Sequence, residues 1–197
     1  MNKTKKFIIL TFLLLFSCAG DFWTTLMATP DLAREVNPLK SVFGGGWQTL
    51  IIYNLLILLF VIGTNYYHLF RFKYKKYENA DFTNKRQMLS LMYFDWIDKF
   101  KWLFYKTPKN WSVLIHHVGH ILPPSLIFLS FVAIVYNFMV WQNFDFAVVI
   151  MDFIKNHIYI LYLIVVVPLF ISIKKILKMD FDYYKKGNYP WLKLYNS

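Results

Sequence analysis

Charge is scarce in this chain of 197 residues, and acid is scarcer than base: 17% of residues are charged, with 11 Asp and Glu against 22 Lys and Arg. Cysteine occurs once, at Cys18, which excludes a disulfide framework and a multi-cysteine zinc site. Internal repeats and low-complexity tracts are missing, as are a nucleotide fingerprint, a serine nucleophile elbow and a kinase-like signature. Gly44-Gly45-Gly46 lacks the Lys-Ser/Thr that would make it a phosphate loop. Apolar residues fill the space: 57% are hydrophobic and 21% aromatic, against about 45–50% apolar in an average soluble domain. That excess excludes disorder. A nucleic-acid binder would explain the net charge of +11 but not twenty Phe and long uncharged runs, so no nucleic-acid partner is expected.

A helix crossing about 30 Å of hydrocarbon needs roughly 20 mostly apolar residues. Four stretches qualify, at about 7–28, 45–70, 113–138 and 158–176. They are continuous rather than alternating, which favours helices over a barrel. The expected fold is therefore all-α: one polytopic membrane domain, 1–197, with four transmembrane helices and the lipid bilayer as its first partner. Nineteen bases fall before the first stretch, between the second and third, or from Lys174 onward; only Arg34, Lys40 and Lys155 fall on the other side. Bases mark the cytoplasmic face, so both termini are expected inside.

The first stretch also reads as a signal peptide. Leu15-Phe16-Ser17-Cys18 follows a Lys-rich start and an apolar run like a lipobox, and cleavage would leave Cys18 lipidated outside. Retention is favoured, because the uncharged run resumes after Asp21 and exceeds a signal h-region of about 7–15 residues. Within the basic cytoplasmic segment 71–110, an amphipathic interfacial helix is expected at about 88–105, its bases near anionic headgroups. The tail 177–197 is basic and aromatic.

Asp21 is an acid inside an apolar run, at a cost of roughly 2.5–3.5 kcal/mol on insertion scales, so it should face protein and have partners. Thr24 and Thr25 share its helix face at i+3 and i+4. Asn54 of the second span, with Glu35 and Asn37 of the short connection, is expected to complete an outer polar cluster. This cluster is either a structural tie or a site for a cation, substrate or proton, with Asp21 and Glu35 as paired carboxylates.

The pattern Asp21-x-x-Thr24-Thr25, then Glu35-x-Asn37-Pro38-Leu39, resembles a family of small uncharacterised bacterial multi-pass membrane proteins, over about 7–67. The resemblance implies a helical membrane domain and a bacterial origin, and brings no activity with it; the expected location is the bacterial inner membrane.

Four histidines fall on the cytoplasmic side. His68 ends the second stretch, and His116, His117 and His120 open the third. His116 and His120 stand i, i+4, a spacing suited to a shared metal. The Glu of a His-Glu-x-x-His protease is missing. His68 with His117 or His120 is the pair to test for haem. The plain alternative is a set of interfacial histidines beside aromatic anchors. Pro123-Pro124 and Pro168 are expected to kink the last two spans. The leading functional expectation is a non-enzymatic accessory, scaffold or assembly subunit with a protein partner or a second copy. The alternative is a membrane-embedded enzyme or small transporter using Asp21 and Glu35, with a metal or haem at the histidines.

Overall fold

In hydrocarbon every backbone N–H and C=O must be satisfied within the chain, so long apolar runs become helices. The computed structural model describes residues 2–32, 45–75, 82–143, 149 and 158–185, and its regular elements are all helical. Helix α1 spans Lys3–Ala28, opened by the Asn2 side chain, which accepts from the Thr4 N–H at 3.2 Å. Helix α2 spans Trp47–Tyr66 and continues into a π turn, Tyr67–Arg71, closed by the Phe72 N–H on the Tyr67 carbonyl at 2.8 Å. Helix α3 is Lys85–Phe94, and a 3-10 turn follows at Phe100–Phe104. Helix α4 is Trp111–Trp141 and helix α5 is Ile158–Lys185. Three of these are long and apolar enough to cross a membrane: Lys3–Ala28, Trp47–Arg71 and Trp111–Trp141.

Helix α4 is the axis of the bundle, touched by α1, α2 and α5. It approaches α2 so closely at Gly119 that a Cβ there would fall on the Thr64 carbonyl and 3.0 Å from the Asn65 nitrogen. Only glycine allows that crossing. Pro123 and Pro124 lie inside α4 without ending it. They remove the two N–H groups that would bond the carbonyls of Gly119 and His120, so the helix is held less tightly by its own backbone in the turn just past His116 and His117.

The expected interfacial helix over 88–105 is not one helix. Helix α3 stops at Phe94 because Asp95 takes a left-handed conformation, φ 60°, and its N–H closes on the Leu91 carbonyl at 2.8 Å. Asp tolerates that conformation better than most residues. Ser90 then ties the following turn, donating to the Trp96 carbonyl at 2.5 Å and accepting from the Lys99 N–H at 2.7 Å. The apolar face of α3 meets protein rather than lipid. Met88, Leu91, Met92, Tyr93 and Phe94 are buried in a core with Phe82, Val113 and Tyr184. Each such side chain contributes about 1.5–3 kcal/mol. The result is a packed cap over the ends of α4 and α5.

Candidate functional site: a buried histidine–aspartate centre

The cap closes over a polar centre built from five segments. The π turn delivers His68, and α4 delivers His116, His117 and His120. Helix α3 adds Tyr93, helix α5 adds Asp180, and the extended stretch after the π turn adds Tyr74. Asp180 is fully buried, and His68, His116 and His117 are nearly so.

Asp180 is the hub. Its Oδ2 lies 2.7 Å from His117 Nε2, and its Oδ1 accepts from the Tyr74 hydroxyl at 2.7 Å. The same Oδ1 stands 3.5 Å from His116 Nε2. Burial alone raises a carboxyl pKa; the His116 and His117 imidazoles and the Tyr74 hydroxyl outweigh it and hold Asp180 well below the ordinary carboxylate range. Burial, with the Asp180 charge nearby, pushes the Tyr74 and Tyr93 phenols upward. A charged Asp180 fixes the proton of His117 on Nε2. In the neutral ring Tyr93 then donates its hydroxyl proton to His117 Nδ1, 2.6 Å away.

A second run leaves Asp180 through the other histidines. His116 Nδ1 is 3.0 Å from His68 Nδ1, and His68 Nε2 is 3.3 Å from His120 Nδ1. Phe72 stacks on the His116 ring at 3.7 Å between centroids, fixing its plane. His116 Nε2 is nevertheless buried without a hydrogen-bond partner. At 3.5 Å from Asp180 Oδ1 it is too far for a well-formed bond, and such a group costs about 1–3 kcal/mol.

Comparison with family models, curated proteins and solved structures finds no match. The centre therefore rests on its own geometry. The spacing argument paired His116 with His120; the structure sets His68 between them and joins His116 instead to Asp180 and His117. His68 Nε2 and His120 Nδ1 sit at hydrogen-bond distance, which leaves no room for a haem plane between that pair.

At the other end of α1 a polar cluster forms around Asp21, Thr24 and Thr25 with a different partner from the one expected. Asn137 of α4 directs its Nδ2 to Thr25 Oγ1 at 2.9 Å, and to Thr24 Oγ1 and Asp21 Oδ1 at 3.4 Å each. Asn54 is not a member. It is exposed on α2, because the small and polar face of α1 packs on α4 rather than on α2. Glu35, Asn37, Pro38 and Leu39 lie outside the described residues. Cys18 is partly buried on α1.

Four functional side chains escaped the sequence reading: Tyr74, Tyr93, Asn137 and Asp180. Asp180 carried a usable signal. Ser172, Ile176, Asp180 and Tyr184 are buried at successive steps of four, the inward stripe of a helix that continues past its apolar run.

Proposed function

We propose that this chain is a four-span protein of a bacterial inner membrane that serves as a non-enzymatic accessory or assembly component of a membrane complex. Its termini and the capped segment 71–110 face the cytoplasm, in keeping with nineteen bases on that side against three on the other. Trp96, Phe104, Tyr105 and Trp111 are exposed around the cap beside Lys99, Lys101 and Lys106, a composition suited to anionic headgroups.

One observation carries the reading. Residues 51–56 of α2 are all exposed, so about one and a half turns of this span stand largely clear of its own bundle, although Leu50 just before them is buried. Asn54 lies in that stretch. A carboxamide facing outward within a span gains a hydrogen bond only from another protein segment, because lipid tails offer none. A partner helix covering α2 satisfies it. The binding energy expected from one such bond is modest, about 0.6 kcal/mol on average, with apolar packing adding the rest.

The test is purification in mild detergent after photocrosslinking from a probe at position 52. The expected result is a discrete crosslinked species that Asn54→Leu weakens while the protein still reaches the membrane. A chain that stays monomeric and crosslinks only to lipid sinks the proposal, as does purified protein that turns over a substrate unaided.

A further inference from the structure

We infer that the buried centre is a metal site in which His116 Nε2, His117 Nε2 and the Asp180 carboxylate take one divalent transition-metal ion of the zinc class. The inference goes beyond the accessory reading and does not depend on it.

The first argument is convergence. One ligand atom from each of these three residues lies within 4.8 Å of the other two, and all three residues are buried. They come from two helices, α4 and α5, so the arrangement is tertiary and not an accident of one helix face. The second argument is the stranded nitrogen. His116 Nε2 has no hydrogen-bond partner although it is buried, and it stands 3.5 Å from Asp180 Oδ1. Bonds of about 2.0–2.1 Å meeting at a tetrahedral ion put two donors about 3.3 Å apart. That separation is poor for a hydrogen bond and right for two ligands of one ion. His117 Nε2, now 2.7 Å from Asp180 Oδ2, need retreat by only about half an ångström to reach the same spacing.

The third argument is the outer shell, which orients metal-bound histidines and carboxylates. Each of the three ligands has one. Tyr93 backs His117, Tyr74 backs Asp180, and His68 backs His116. The protons balance without gain or loss. When His117 Nε2 binds the ion, its proton moves to Nδ1 and Tyr93 changes from donor to acceptor. With His116 bound through Nε2, its proton sits on Nδ1 and donates to His68 Nδ1. The His68 proton then sits on Nε2 and donates to His120 Nδ1. Every imidazole is neutral with one proton, and the N–H groups point away from the ion, as a cation requires.

Two imidazoles and one carboxylate suit zinc and neighbouring transition ions. The set is too poor in oxygen for calcium or magnesium and holds no thiolate for soft ions. His68 and His120 are thereby positioning residues and not ligands, which divides the four histidines into two pairs by role.

The experiment uses the full chain purified in mild detergent, stripped with a chelator and titrated with Zn2+, and with Co2+ read by its visible absorption. The expected result is one ion per chain, a tetrahedral Co2+ spectrum, and affinity lowered about 100-fold or more by Asp180→Asn or His117→Ala. His120→Ala should leave the stoichiometry unchanged and weaken binding by about tenfold at most. Asp180→Asn preserves volume and one acceptor, so the ion-free chain should keep its fold. If that variant does not accumulate, His116→Phe serves instead, since it removes the stranded nitrogen and keeps a ring under Phe72. Wild-type protein that binds neither ion overturns the inference. So does binding that survives Asp180→Asn, His117→Ala and His116→Phe alike, or that is abolished by His120→Ala as completely as by Asp180→Asn.

Discussion

The two ends of this bundle treat their polar groups differently. At the histidine end three helices, a cap and an aromatic shell surround the His–Asp centre; hydrogen-bond contacts link Tyr93, His117, Asp180 and Tyr74, a second set links His116, His68 and His120, and His116 approaches Asp180 at 3.5 Å. At the Asp21 end a single amide, Asn137, serves three oxygens of α1 that lie at 2.9 to 3.4 Å, and Asn54 faces away from the bundle altogether. A thick surround lets the chain bury a carboxylate with several partners; a thin one allows a tie between two helices. The same residue types thus form a site at one end and a fastener at the other.

The largest effect expected from breaking this contrast is at the closest helix crossing. Gly119→Ala sets a Cβ against the backbone of α2, which cannot yield as a side chain can. It should cost about 3 kcal/mol or more and part His68 from His116. Gly63→Ala is the internal control: a Cβ there meets nothing within 4 Å, and the change should be neutral or slightly stabilising. Thermal unfolding in detergent separates the two, and equal melting would show that the crossing is not tight. A smaller loss belongs to the Asn137 tie. Asn137→Leu should cost about 1 kcal/mol by the same measurement, without altering metal binding at the other end. Any change in metal affinity would mean that the two ends are coupled.

The smallest effect lies on the surface of the cap. Asp95 is paired with Lys75 at 2.6 Å and Lys109 at 3.3 Å, and accepts from Asn110 at 3.1 Å. Partial burial raises its carboxyl pKa, but these partners outweigh burial and hold it below the ordinary value. A depressed folded value means that the stabilisation is complete above the unfolded carboxyl pKa of about 4. It fades as pH falls through the lowered one. The pairs are exposed enough that Asp95→Asn, which keeps a residue tolerant of the left-handed turn, should cost only about 0.5 kcal/mol at neutral pH. Melting curves of the variant and the wild type should draw together in acid. A gap that persists there would assign the loss to the turn and not to the charge.

The fold was legible where apolar length decides it. Long uncharged runs, such as Phe7–Phe16 and Ile51–Ile62, can be little else than helices in lipid, and the three candidate spans lie on such runs. Which faces meet was not legible. A lipid-facing Leu and a protein-facing Leu read alike, because lipid tails are as apolar as the core. Sequence alone therefore pairs Asn54 with Asp21, where the structure places Asn137. The same blindness extended the cap helix past Asp95, where a single left-handed residue ends it. His116, His117, His120 and His68 stood out by type alone. Asp180 did not, since an acid in a basic tail, with Asp182 two residues on, looks like a solvated charge until the four-residue stripe from Ser172 to Tyr184 shows that it points inward.

The π turn at Tyr67–Arg71 has a consequence for chain length. Each residue added to a helix turns everything after it by about 100°. The wide turn holds one residue more than an α-helical turn would, and so sets the phase between His68 and the following Phe72 and Tyr74. Those two then arrive under His116 and beside Asp180. The centre is tuned by counting as much as by chemistry: losing one residue there would leave all its side chains in the sequence and aim them at different neighbours.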